Sequence, residues 1–383
     1  MNIVFLPFRL LPRRDKVTFI SRVSDAVTVD FSLLRDELER VRPTTRVVVL
    51  CKQLRPGLAE RTKYLPHILV QMFHIATSRV VVLDSYCMAV SAIRPARTGL
   101  EVIQLWHALG AFKRFGYSIL GCEESHTDFS SLDSPDLAKI MGMHRNYTAA
   151  TATYQDGISH LAQAYNVDPS IFRVIPLPRV DLLASREAMS HLRTRILAKH
   201  PELVGGRHSK GEGIQEGKGV VLFAPTFRRG GATVPQNTEL LKALVGAGYT
   251  VVSKMHRLSH AQSCPAGVIE VPEFAAMELL AVADVVVTDY SAITFEAYLT
   301  GTPVVLFTPD VEQYACSRGF YTRPEEFPGQ PCRTVEALLT ALTGPLPSGE
   351  EIDAFVDRYV ASRSGNTEQL GQMIAGGLSQ VTR

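Results

Sequence analysis

"LEVIQLWHALGAFKRFG", residues 100–116, decides how the chain is read. A mainly apolar run stops at His107, and Gly110, Lys113 and Arg114 follow within seven residues. A run with so little polar alternation predicts a strand covered on both faces, as in parallel sheets flanked by helices. The histidine and the cations then stand at the strand's carboxyl end, where such sheets bind ligands.

The same grammar recurs on either side. "KVTFISR" (16–22), "RVVVLCK", "RVVVLDSY", "YTAATATYQ" and "FRVIPLP" read as further strands. "DFSLLRDELERV" (30–41), with Asp30 as its cap, and "YLPHILVQMFHIATS" read as helices. Residues 205–219, "GGRHSKGEGIQEGKG", lack apolar periodicity and read as a linker. Alternation restarts with strand "GVVLFAPTFR", helix "TELLKALVGAG", strand "YTVVSKMH", helix "AMELLAVA", strand "DVVVTDYS", helix "ITFEAYLTG" and strand "TPVVLF", and helices follow from about 333. The expectation is two doubly wound, Rossmann-like α/β domains, 1–204 and 220–383, facing an interdomain cleft.

Composition agrees with that size. A chain of 383 residues with 46% hydrophobic and 20% charged residues has ample core for two domains. Six scattered cysteines without a CxxC pair read as reduced thiols in the cytoplasm. No apolar run is long enough to span a membrane. "MNIVFLPFRLLPRR" (1–14) interleaves apolar residues with Arg9, Arg13 and Arg14. It reads equally as a segment lying on the inner face of the membrane and as an arm covering the core. Residues 1–120 hold 18 Lys and Arg against 9 Asp and Glu, a surplus of +9 beside an overall +2. A basic N-terminal half suits phosphate polymer or lipid headgroups; the scarcity of interleaved aromatics argues against nucleic acid.

Polar groups gather where strands end: Asp84-Ser85-Tyr86, His107, Thr226 and Arg228, His256, and Asp289-Tyr290-Ser291. Together they outline a cleft rim, although any one of them also fits a satisfied core group. His107 suits a general base because imidazole titrates near neutrality. Lys113 and Arg114 suit an anionic acceptor or its phosphate. Ser291 stands where it can cap a helix starting near 292, and that terminus suits phosphate. Arg318 is a fork for phosphate oxygens, and Gly319 permits close backbone approach. There is no P-loop, no GxGxxG, no DxD-like acidic pair and no His/Cys cluster, so a transfer without metal or bound cofactor is expected.

Taken in order, "VTFISR", "QLWHALGAFKRFG", "IPLPRVD", "LFAPTFRRG", "SKMHRL", "VTDYSAITFEA" and "YACSRGFY" resemble the CDP-glycerol glycerophosphotransferase family of teichoic acid and capsule polymer synthesis. The resemblance implies a GT-B architecture, with the acceptor on the first domain and a CDP-alditol on the second. It implies transfer of glycerol or ribitol phosphate to a hydroxyl of a lipid-linked or polymeric phosphate acceptor, with CMP leaving. By the same resemblance His107 is the base and His256 stabilises phosphate charge. Thr226, Arg228, Ser291 and Arg318 surround the donor diphosphate, with Asp289 and Gly319 beside them; Asp84 and Ser85 join Lys113 and Arg114 on the acceptor side. The sequence departs from the commoner WHGTPLK at Ala108 and Leu109, and from Asp-Tyr-Ser-Ser at Ala292. A shared fold and shared strand-end sites keep open a GT-B glycosyltransferase using a nucleotide sugar, and those departures keep open a catalytically silent subunit of a polymer-assembly complex.

Overall fold

Branched residues crowd the strands because helices cover both faces of each sheet: every residue of "VVVL" at 80–83 and of "VVVT" at 285–288 is buried. The structure is a computed structural model that describes residues 2–55, 58–93, 99–120, 122, 142–205, 219–226, 235–254 and 264–379. Six parallel strands form the first sheet: β1 (Lys16–Ser21), β2 (Arg46–Cys51), β3 (Val80–Leu83), β4 (Glu101–Gln104), β5 (Ala149–Ala152) and β6 (Phe172–Val174), in the order β2-β1-β3-β4-β5-β6. Five more form the second: β7 (Val220–Phe223), β8 (Thr250–Ser253), β9 (Val268–Glu270), β10 (Val285–Thr288) and β11 (Val304–Leu306), in the order β11-β10-β7-β8-β9. This is the expected pair of doubly wound α/β layers. In each, strand order reverses once, between β1 and β3 and between β7 and β10. A crevice opens at such a switch point because the connections leave in opposite directions.

The helices that position the site are α1 (Val29–Val41), α2 (Leu58–Thr77), α3 (Gly157–Tyr165), α4 (Arg179–Ala184), α5 (Ile293–Leu299), α6 (Gly349–Tyr359) and α7 (Asn366–Ser379). Thr28, not Asp30, caps α1, its hydroxyl accepting from the Phe31 amide. Asp30 lies inside the helix and is buried. The strand β9 and a helix at Val311–Ser317 escaped the sequence reading. "VIE" is three residues long, half exposed and on the sheet edge, too short to show a period. Of the expected linker, residues 206–218 lie outside the described residues.

The final helix does not stay with the second sheet. α6 packs on α5, and the chain then crosses so that α7 lies along α1 and reaches β3. Two glycines permit that approach: a Cβ at Gly371 would fall 2.6 Å from Glu37 Cγ, and one at Gly377 3.1 Å from Glu101 Cγ. Asp181 of α4 fixes the crossing, its carboxylate accepting from the Asn366 and Thr367 amides at 3.1 and 2.8 Å.

Candidate active site

His107 reaches its position through a strained turn. Trp106, just past β4, has φ +68°, a left-handed conformation that a bulky residue adopts only under constraint. Gln104 supplies the constraint. Its side-chain oxygen accepts from the Trp106 amide at 3.0 Å. Its amide nitrogen donates to the Ser85 carbonyl at 3.2 Å and to Tyr147 Oη at 3.0 Å. Stacking of Trp106 on Phe115, centroids 4.2 Å apart, closes the turn from the other side.

The imidazole it presents keeps solvent access while protein crowds round it. His107 Nδ1 lies 3.1 Å from the Asp84 carbonyl oxygen. A carbonyl only accepts, so Nδ1 carries the hydrogen and Nε2 keeps its lone pair. Partial withdrawal from water, with the charges of Arg179, Arg22 and Lys113 adding, pushes the ring's pKa down to about 4, against the raising effect of the Asp84 bond. The ring is therefore neutral at cellular pH.

Beside it, Asp84 and Ser85 are buried at the end of β3. Among the described residues neither Asp84 carboxylate oxygen has a partner at hydrogen-bonding geometry. Burial raises its pKa to about 6, moderated by the Ser21 and Ser85 hydroxyls. Of the two departures in the histidine loop, Leu109 is 2% exposed and belongs to the core.

Lys113, Arg114, Arg318 and Gly319, which the sequence divided between acceptor and donor, come together. Lys113 and Phe320 form an antiparallel bridge. The Arg114 amide donates to the Gly319 carbonyl at 3.1 Å, and Arg318 Nε donates to the Arg114 carbonyl at 2.8 Å. The Tyr321 amide donates to the Phe112 carbonyl at 2.9 Å, and the Ser118 and Tyr321 hydroxyls are bonded. Gly319, at φ +81°, makes the turn, and a Cβ there would stand 3.3 Å from Arg114 Cδ. The loop after β4 is thus zipped to the loop that follows β11 and its helix. At Gly110 a Cβ would meet the Phe295 ring of α5, so a glycine is required where the two layers touch.

At the second switch point Asp289 is buried, and its Oδ1 accepts from the Thr226 amide at 2.7 Å, joining the ends of β7 and β10. Ser291 does not cap α5. That helix starts at Ile293, and the Ser291 carbonyl accepts from Thr294 Oγ1 at 2.9 Å. With seven residues α5 carries little dipole. Arg228 and His256 lie outside the described residues.

Sequence reasoning missed Arg179. Its guanidinium bonds Asp30 of α1 and, at 2.6 Å, Glu296 of α5, and its amide donates to Asp30 Oδ1 at 2.9 Å. One buried cation thereby joins both layers beside His107. "IPLPRVD" contained the residue, but its partners are 149 and 117 positions away. Gln104 was missed too, read as one polar residue in an apolar strand.

Comparison with known proteins fits this geometry. The chain matches the family described as CDP-Glycerol:Poly(glycerophosphate) glycerophosphotransferase over residues 3–374. It is 30% identical to the teichoic acid ribitol-phosphate primase of Bacillus spizizenii, across 94% of this chain and 90% of that one. It is 27% identical to the teichoic acid poly(ribitol-phosphate) polymerase of the same organism, over 94% of this chain, and spans 56% of that longer protein. In fold it resembles the wall teichoic acid polymerase TagF, with TM-score 0.73 at 16% identity, covering 100% of this chain and 95% of that chain. Two parallel α/β layers arranged as in TagF make the architecture GT-B-like. The chain belongs to the CDP-glycerol:poly(glycerophosphate) glycerophosphotransferase family.

Proposed function

We propose that the protein transfers an alditol phosphate, ribitol phosphate first among them, from its CDP ester to a hydroxyl of a phosphate-bearing teichoic acid acceptor. His107 Nε2 takes the acceptor proton. The freed oxygen attacks the phosphorus that bears the alditol, the bond from that phosphorus to the oxygen of CMP breaks, and CMP leaves. The observation that carries this reading is the His107–Asp84 bond, which fixes the tautomer with an open lone pair on Nε2. Thr226, Asp289 and Ser291 at the second switch point, with Arg318, Arg228 and His256, supply the donor side. Cations and amide donors then balance phosphate charge, with no metal in the step. Ribitol is favoured because the relatives of 30%, 27% and 28% identity carry ribitol phosphate in their names, and the glycerol-phosphate primases stand at 23%.

The acceptor side is proposed to work at the inner face of the cell membrane. Ile3, Leu6 and Leu10 are exposed, and so are Leu65, Leu69, Val70 and Phe73 along α2. Phe8 meets Phe73 edge to face at 6.4 Å, so the two sets form one surface, with Arg9 and Arg14 in the same segment. Apolar groups beside cations suit an anionic bilayer. Among the described residues no helix is long and apolar enough to cross a membrane.

The decisive measurement is CMP release from CDP-ribitol and from CDP-glycerol, each with a lipid-linked or synthetic phosphate acceptor, and with UDP-glucose as a control donor. Release from CDP-ribitol is expected. Release of UDP alone would replace the proposal with glycosyl transfer. Binding of CDP without release in any combination would favour a silent subunit.

A further inference from the structure

The switch point of the first sheet holds a recess that the residues named above do not account for. It lies between the ends of β1 and β3 and α2, is open to solvent, and has about 20 Å³ of room inside, about enough for one water. Arg22, the residue after β1, stands at its mouth, with the guanidinium 5.0 Å from the centre of the Tyr86 ring. Among the described residues that guanidinium makes no ion pair and no hydrogen bond; stacking on the aromatic face holds it in place. Arg179 and Arg42, which are also partly buried, are paired: Arg179 meets two carboxylates and Arg42 meets one. An arginine fixed in a concave site with all of its N–H donors unspent is a site for an anion.

The rest of the recess restricts which anion. Ser85 crosses from β3 to β1, its hydroxyl accepting from the Arg22 amide at 3.4 Å. Deeper in, Gln71 Nε2 donates to Tyr64 Oη at 3.1 Å, and Cys87 approaches Gln71 at 3.9 Å. The lining is thus one cation, a few hydroxyl and amide groups, and apolar walls. A guanidinium with unspent donors beside a hydroxyl receives a phosphate at the mouth of the recess, while the room inside is too small for a nucleobase or a whole polyol.

Position relative to the base gives the polarity. Arg22 follows β1, His107 follows β4, and β3 alone lies between, so the two stand about 10 Å apart, two strand spacings. Arg22 is near enough for its charge to hold down the His107 pKa. The backbone of Lys113 and of Arg114 carries the bridge to residues 319–320 and so joins the two layers.

We infer that Arg22, stacked on Tyr86, binds the phosphate of the acceptor's last alditol phosphate unit and so directs that unit's free hydroxyl to His107. This deepens the function proposed above and rests on its acceptor being phosphate-bearing. Arg22 is a specificity residue: acceptors ending in phosphate-linked alditol are taken, and those ending in an unphosphorylated sugar are not.

The test has two arms on the full chain. In the first, sn-glycerol 3-phosphate is titrated by calorimetry into the wild type, Arg22→Ala and Arg22→Lys, with no donor present. Binding that weakens at least about tenfold in Arg22→Ala and partly recovers in Arg22→Lys is expected. No binding to the wild type, or equal binding to Arg22→Ala with an unchanged melting temperature, overturns the site. In the second arm, CMP release is followed against concentration of a synthetic acceptor ending in one alditol phosphate. The acceptor KM should rise at least about tenfold in Arg22→Ala, with donor KM within about twofold. Turnover with an unaltered acceptor KM removes the subsite and leaves the transferase reading intact. Arg22-dependent binding without turnover removes the transferase reading and leaves the anion site. Should Arg22→Ala unfold, Tyr86→Leu, which frees the guanidinium without deleting it, is expected to weaken binding in the same direction.

Discussion

The Asp84 carbonyl oxygen lies 3.1 Å from His107 Nδ1, so the end of β3 sets the tautomer of a histidine carried by β4. Neighbouring strands in a parallel sheet end side by side. The backbone of one is therefore a rigid orienter for a side chain of the next, a service more often given by a carboxylate. The Asp84 side chain is buried beside the Ser21 and Ser85 hydroxyls, and among the described residues neither carboxylate oxygen takes a hydrogen bond of good geometry.

His107→Ala should lower turnover by about 10²- to 10⁴-fold and leave CDP binding unchanged. The pH profile gives the second reading. Since a pKa of about 4 keeps the ring neutral, kcat/KM should be flat from pH 6 to 8 and fall only as pH drops towards 4 if His107 is the proposed base. An anionic donor nearby raises that pKa, so the acid limb of kcat should sit higher than that of kcat/KM. A limb of kcat/KM near the ordinary 6.5 would show that the ring is not held down.

Asp84 should weaken the fold at neutral pH. Its folded pKa of about 6 exceeds the ordinary 3.8, so between those values the folded chain holds a proton that the unfolded chain has lost. Stability therefore falls as pH rises through this window and stays lower above it, by about 3 kcal/mol at most. Asp84→Asn should gain about 1 to 3 kcal/mol at pH 8 and almost nothing at pH 4, read by urea denaturation.

Gln104→Leu should act on turnover more than on binding. It removes the acceptor that pins the Trp106 amide and two further bonds, letting the φ +68° turn relax and the imidazole drift. A kcat loss of about 10- to 100-fold with an unchanged donor KM is expected. Gln104→Glu keeps an acceptor for the Trp106 amide and should recover part of the loss. Equal loss in both variants would point to general unfolding instead.

Arg179→Ala should cost about 3 to 5 kcal/mol of stability, because Asp30 and Glu296 are then buried without their cation. It should also raise the His107 pKa, since the arginine's charge is one of the influences that lower it. Loss of stability without movement of the acid limb would mean that Arg179 acts only as a clamp.

Leu69→Ser with Phe73→Ser should abolish flotation with vesicles of anionic phospholipid and leave CMP release from a water-soluble acceptor unchanged. Both side chains are exposed on α2, so the fold loses little. Equal flotation of the variant and the wild type would dispose of this surface as the membrane contact.

The strands, their parallel pairing and the two layers were legible because burial on both faces writes itself into composition. "VVVL" and "VVVT" admit little else. The placing of His107, Asp84, Thr226 and Asp289 at strand ends followed from the same runs. β9 was not legible, since three residues on a sheet edge have no pattern to show. Nor was the return of α7 to the first sheet, which depends on shape at Gly371 and Gly377 rather than on any local preference.

By itself the sequence determined which residues end the strands, and hence that a histidine would face a crevice between two layers. Only the tertiary structure decided which partners the polar groups take. Asp289 is turned to the Thr226 amide, Arg318 to the Arg114 carbonyl, and Arg179 to carboxylates 149 and 117 positions away. The physical reason is that a hydrogen bond depends on distance and direction in space. A sequence records neither for partners that meet only after both sheets have closed.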